Sequence, residues 1–268
     1  MFAKLKVYFP FASNEAKRTM AYRMTFFYTA VGKLMMIFVS LYLWKAIYAS
    51  NSAPVMGGFT YKEMATYIII NIFTDTIMSS MFADQLARDI LRGEIANALV
   101  KPIDYHGMLF IKSLGNMLIN IIVQCIPFII LFTVVGTMKA VTPYQLFFYC
   151  VSVFLSYIIM FLFNFCFATL AFYTSYYFGI SMAKGALLKF FSGGLIPFTF
   201  FSANLRHIFE VLPFASLQYT PVMIYVGKIS KEKMVSTLGI QCFWIVVFFV
   251  FSKLLWAHAV KRLTVLGG

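Results

Sequence analysis

Long apolar runs alternate along the chain with short segments that carry its charges, and the runs fall at about 24–48, 64–83, 108–136, 144–173, 182–202 and 235–257. Each reaches the length of about 20 residues that a helix needs to cross roughly 30 Å of hydrocarbon. Polarity inside the runs does not alternate from residue to residue, as it would in membrane strands, and charged, Gly or Pro residues bound them. Helices also satisfy their own backbone groups where no water can. The pattern predicts an all-α integral membrane protein with six transmembrane helices in one domain over 24–268, preceded by a short segment 1–23. No internal repeat of fixed period is visible.

Composition agrees: 62% hydrophobic and 12% charged residues lie outside the range of soluble domains. A net charge of +13 would suggest nucleic acid in a soluble protein. Here its placement follows the bias of cytoplasmic loops toward Lys and Arg. With the N-terminus inside, the inner segments hold Lys4, Lys6, Lys17, Arg18, Arg23, Arg88, Arg92, Lys101, Lys112, Lys184, Lys189, Lys261 and Arg262. The outer ones hold Lys45, Lys62, Lys139, Arg206, Lys228, Lys231 and Lys233, the last four weakening the bias. Both termini are therefore expected in the cytoplasm. The partner of this charge is a lipid bilayer; no nucleic-acid-binding motif is present.

Residues 1–23 do not read as a signal peptide, because Pro10 and a polar stretch follow the basic start. Alternating Leu5, Val7, Phe9 and Phe11 suit an element lying in the inner headgroup layer, the alternative being a flexible basic tail. Cys125, Cys150, Cys166 and Cys242 all fall in predicted spans without metal-ligand spacing, and are expected as inert core thiols.

Polar residues inside the spans need partners. Lys33 lies roughly 15 Å into the first span and Asp75 about 13 Å into the second, measured from the same side at 1.5 Å per residue. The matching depths predict an ion pair, or else a snorkelling Lys33 and an Asp75 bonded to hydroxyls and amides. Asp75 reads as the single well-buried carboxylate. On the third span Ser113, Asn116, Asn120 and Gln124 share one helix face, which either lines a pathway or glues helices together. The fourth span is crowded with Phe147, Phe148, Phe154, Tyr157, Phe161, Phe163, Phe165 and Phe167, expected mostly to contact lipid.

Two segments interrupt the apolar pattern. Between the fifth and sixth spans, 203–233 holds apolar stretches too short to cross, broken by Pro213 and Pro221, and predicts re-entrant or interfacial helices on the outer side. Between the second and third, 84–104 is charged yet keeps Leu86, Ile90, Ile95 and Leu99 near helical spacing, with a break at Gly93. Its Asp89, Arg92 and Glu94 are left for a partner, and Pro102 stops the helix. A cytoplasmic docking helix is expected.

Asp89-Ile-Leu-Arg-Gly-Glu-Ile-Ala-Asn-Ala-Leu-Val-Lys-Pro102 resembles the cytoplasmic signature of type 2 ABC-transporter permeases, in the subgroup of stand-alone six-span subunits. Ser192-Gly-Gly-Leu-Ile-Pro197, Leu212-Pro-Phe-Ala-Ser-Leu-Gln-Tyr-Thr-Pro-Val-Met-Ile-Tyr-Val-Gly227 and the ending Ala259-Val-Lys-Arg-Leu-Thr-Val-Leu-Gly-Gly268 are similar to it as well, in order and spacing. Richness in Phe, Lys and Met is the one departure. The resemblance implies that 84–104 contains a coupling helix, with Asp89, Arg92, Gly93, Glu94, Lys101 and Pro102 facing a separate ATP-binding cassette subunit. It implies ATP and magnesium on that partner and no cofactor on this chain. A second permease subunit, identical or related, would complete the pathway in a bacterial inner or plasma membrane.

The chain has no phosphate-binding loop of its own, so it is not expected to hydrolyse ATP. Its His106, His207 and His258 are scattered, without a metal-binding pair or a nucleophile elbow. The expected role is a pathway subunit of an ATP-driven exporter for a hydrophobic or amphipathic compound such as a drug, lipid or peptide. Lys33, Asp75, Asn116, Asn120 and Gln124 are its intramembrane polar candidates. The rival readings are an ion-coupled secondary transporter using Lys33 and Asp75, and a membrane scaffold or intramembrane enzyme.

Overall fold

A computed structural model describes residues 10, 13–14, 17, 23–51, 54–100, 104–134, 136 and 138–262 of the chain. Most of the segment 1–23, together with Lys101, Pro102 and the ending 263–268, lies outside the described residues. The long helix α1 (Arg23–Ser50) leads to a two-stranded hairpin, β1 (Val55–Met56) and β2 (Phe59–Thr60), with Val55 opposite Thr60. Helices α2 (Tyr61–Met78), α3 (Phe82–Leu91), α4 (Ile95–Leu99), α5 (Tyr105–Ile119) and α6 (Ile126–Val134) follow, a π-helical turn (Asn120–Cys125) joining the last two. Next come α7 (Pro143–Thr169), α8 (Phe178–Phe191), α9 (Ala203–Val211), α10 (Tyr219–Val226) and α11 (Lys231–Ala259). The protein is all-α apart from the hairpin.

Local chemistry sets the helix ends. At α2 the Thr60 hydroxyl accepts from the Glu63 amide while the Glu63 carboxylate accepts from the Thr60 amide, a reciprocal cap. Thr142 and Gln145 do the same for α7, with Pro143 in the first turn, where no N–H is required. The π turn precedes Pro127, which lacks an N–H and crowds the carbonyl one turn back; widening the helix there relieves both.

Five segments among the described residues are long and apolar enough to cross a membrane: Phe27–Ser50, Tyr61–Leu91, Tyr105–Ile130, Pro143–Tyr173 and Lys231–Arg262. The run expected at 182–202 differs. Its helix α8 has 14 residues, about 21 Å of rise, and stops at Ser192 because Gly193 takes a left-handed φ of 76° and Pro197 follows. The second run, expected over 64–83, also divides: Ser79 is extended and separates α2 from α3.

α7 runs through the centre, packed by α2, α3, α10 and α11. Phe161, Phe163 and Phe165 are buried there, so the rings expected to face lipid largely build the core; Phe147 and Phe154 are the exposed ones. Among the described residues, α1 buries only Ile37 and Leu41 of its large apolar side chains, and α11 only Met234, Gln241, Ser252 and Ala259, which leaves each an apolar outer face. Cys125 and Cys166 are core thiols as expected, whereas Cys150 and Cys242 lie on outward helix faces.

The two helices within 203–233 differ in burial. α9 is amphipathic and exposed, but α10 is almost wholly buried, and the turn before it bonds to residues well inside α7 and α11. α10 leads back to the hairpin end, where Lys228 follows it. There Glu63 gathers the connections: its carboxylate oxygens lie 2.8 Å from Lys139 Nζ and 2.7 Å from Lys228 Nζ, and Lys228 also donates to the Gly58 carbonyl. One acid thus clasps the hairpin, α2, the loop before α7 and the α10–α11 junction. Glu63→Gln keeps a side chain able to cap α2 but loses the charge; a loss of about 2 kcal/mol is expected in reversible detergent unfolding.

Candidate functional site

Inside the bundle the polar residues meet where helices break. Thr74 and Thr76 bond back to the carbonyls of Ile70 and Ile72, a pattern that loosens a helix, and α2 ends two residues later. The freed carbonyls are taken up by α5 and the π turn. Asn120 Nδ2 donates to the oxygens of Thr76 (3.0 Å) and Ser79 (3.1 Å), and Asn116 Nδ2 donates to Ser79 at 2.9 Å. Gln124 Nε2 donates to Asn120 Oδ1 at 3.2 Å. Lys33 Nζ closes the group, 2.8 Å from Thr76 Oγ1 and 3.3 Å from Gln124 Oε1. Ser113 instead bonds within its own helix, to Phe110. The predicted polar face is thus a seam that holds α1, α2 and α5 together.

Lys33 and Asp75 are neighbours without making the expected ion pair. Lys33 spends its donors on Thr76 and Gln124, while Asp75 Oδ1 accepts from Gln218 Nε2 at 2.8 Å. Asp75, expected to be well buried, keeps some solvent contact in the single chain yet is closely surrounded by Gln218, Lys33 and Lys189.

A second knot holds the break after α8. Tyr67 donates to the Gly193 carbonyl at 2.7 Å, Asn71 to that of Gly194 at 2.8 Å, and Ser192 Oγ to Gln218 Oε1 at 2.8 Å. A methyl on Gly194 would meet Gln218 Oε1 at 2.6 Å, so a side chain there would have to displace the Gln218 amide from its bonds to Ser192 and Asp75. Two of the segments similar to permeases, 192–197 and 212–227, are therefore bonded to each other here. A third knot covers the turn before α10: Gln241 Nε2 and Ser156 Oγ both donate to the Ser216 carbonyl, at 2.9 and 2.6 Å.

At the opposite end from Glu63, α3 and α4 form an elbow. Leu86, Ile90 and Ile95 are buried against Tyr105, Leu109, Phe161 and Phe165, with Leu99 packed alongside, so the predicted apolar stripe faces the protein's own bundle. Gly93 turns the chain at φ 73°, with open space around it; its conformation, not its size, is what the turn needs. Arg88, Arg92, Glu94 and Asn97 are exposed on the outer face, and Asp89 is half-buried among Arg88, Arg92 and Lys112. Asp84 accepts from Ser181 at 3.1 Å, tying the elbow to α8.

Glu63, Gln218 and Gln241 are the residues that sequence reasoning passed over. Thr60-x-x-Glu63 is a legible capping signal, and an amide such as Gln241 inside an apolar run asks for a partner. Nothing local marked Gln218, whose role depends on two chain segments meeting.

Long apolar helices, half-helices with covered ends and a charged elbow at one end define a multi-pass helical membrane protein. The family described as ABC-2 family transporter protein matches residues 34–267. The chain belongs to that family and is a membrane permease subunit, not the catalytic part, of an ABC transporter. No curated protein matches it.

Asn120→Leu removes the side-chain amide from the Thr76 carbonyl and leaves Ser79 to Asn116 alone, and a loss of about 2 kcal/mol in detergent unfolding is expected. Asn116→Leu, at a more open position, should cost less in the same measurement.

Proposed function

We propose that this chain forms the translocation pathway of an ATP-driven exporter for a hydrophobic or amphipathic compound, a drug, lipid or peptide. The α3–α4 elbow is its contact with a separate ATP-binding subunit, which carries ATP and magnesium. The observation behind this reading is the division of labour in the elbow: its apolar stripe is buried in its own bundle, while Arg88, Arg92, Glu94 and Asn97 are turned outward. A helix mounted in that way moves with the ends of α5 and α7, so a push on its charged face is passed to the bundle as a rigid-body motion. Lys101 and Pro102 continue the same segment. The elbow end is the cytoplasmic side, in keeping with the excess of basic residues there.

A second permease subunit, a copy or a relative, packs against the side that carries Asp75 and completes the pathway in the cell membrane. α1 and α8 flank that side; α8 has no buried residue in the single chain, which suits a surface covered in the assembly.

Arg92→Glu and Glu94→Arg should leave insertion and stability unchanged, while transport driven by the co-purified ATP-binding subunit falls about tenfold, the scale of a lost interfacial charge contact. Transport that persists without any ATPase and follows a proton or sodium gradient would establish the secondary-transporter reading instead. In a cysteine-free background, Asp75→Cys is expected to react with a water-soluble thiosulfonate and Asn120→Cys to remain unmodified. An unreactive Asp75→Cys would remove Asp75 from the pathway.

A further inference from the structure

Between α9, the buried α10 and the first turns of α11, on the Glu63 end of the bundle, lies a cavity of about 340 Å³. Met223, Ile229 and Ile240 give it apolar walls, and Arg206, Lys228, Lys233 and Glu210 line it with charge. The single acid is already satisfied: Glu210 Oε1 accepts from Arg206 Nε at 2.8 Å and from the Tyr219 hydroxyl at 3.1 Å. The Glu210 contact holds the Arg206 guanidinium above its ordinary range, so it stays charged, with N–H donors beyond Nε. Lys228 is engaged by Glu63 and Gly58. Among the described residues the Lys233 ammonium has no hydrogen-bond or ion-pair partner.

The cavity therefore carries an excess of positive charge, which selects an anion, and its size suits a small head group. Its far wall decides between a free anion and an amphiphile. Ile240 continues along α11 into Phe243 and Val247, three and seven residues on and on the same helix face, and all three are exposed. An apolar track thus leads away from the charged mouth along the outside of the bundle. We propose that this cavity binds an anionic amphiphile, its phosphate head held by Lys233 and Arg206 and its tail laid over Ile240, Phe243 and Val247. The site needs neither ATP nor the partner subunit, so it stands or falls separately from the transport reading.

The test is native mass spectrometry of the full chain in an uncharged detergent, titrated with dihexanoyl phosphatidylglycerol, dihexanoyl phosphatidylcholine or inorganic phosphate. Phosphatidylglycerol is expected to saturate a single site about tenfold more tightly than phosphatidylcholine, the scale of one charge-assisted hydrogen bond. Lys233→Gln should remove that advantage, whereas Lys62→Gln, at the same end but outside the cavity, should retain it. Equal binding of the two lipids, or an unchanged Lys233→Gln, would overturn the proposal. Displacement of phosphatidylglycerol by inorganic phosphate in the same concentration range would show a site for free anions and would overturn it equally.

Discussion

A helix that stops inside an apolar bundle leaves carbonyls and amides that no water can reach, and each one left unpaired costs several kcal/mol. This chain stops helices there repeatedly, after Met78, after Phe191 and before Tyr219, and at every one a side-chain amide arrives from a neighbouring element. Asn116 and Asn120 cover the end of α2, Asn71 covers Gly194, and Gln241 covers Ser216. The breaks are thus where elements are bonded most firmly. They also put polar groups in the interior, which uninterrupted apolar helices could not do.

The two ends of the bundle are built differently. At the hairpin end, Glu63 draws two lysines and a capped helix onto one carboxylate, a fixed electrostatic junction. At the elbow end the fastening is apolar: Trp256 stacks on Tyr105 with ring centroids 5.5 Å apart and packs against Phe165, while Leu86, Ile90 and Ile95 insert beside them. Apolar fastening is non-directional and leaves the charges of Arg88, Arg92 and Glu94 uncommitted to the bundle. An elbow so held can carry an external load without exchanging its internal partners.

The helical class and most of the spans were legible because an apolar run of about 20 residues has few other uses. The elbow's stripe was legible for a related reason: Leu86, Ile90, Ile95 and Leu99 keep helical spacing within a charged stretch. The failures have a common cause. Matching depth suggested that Lys33 meets Asp75, but depth says nothing of rotation about the helix axis, and Thr76 and Gln124 are the atoms within reach of the ammonium. The fifth run was expected over 182–202, but its helix ends at Phe191, because hydropathy does not weigh one glycine in a left-handed turn. The aromatic residues of α7 were assigned to lipid because a central helix and a peripheral one share the same composition. Gln218 was illegible in principle, since its two partners, Ser192 and Asp75, come from distant parts of the chain.

The turn before α10 also bears on the order in which the molecule is made. Its Ser216 carbonyl is covered by Ser156 and by Gln241, and Gln241 lies in α11, which follows the turn in the chain. Until α11 is in place, the turn cannot complete its hydrogen bonds among apolar neighbours, and water is the better host for it. Settling of α10 into the bundle is therefore coupled to the arrival of α11. A chain cut short before residue 241 would lack not only a helix at its end but also the means to hold a loop that it already contains.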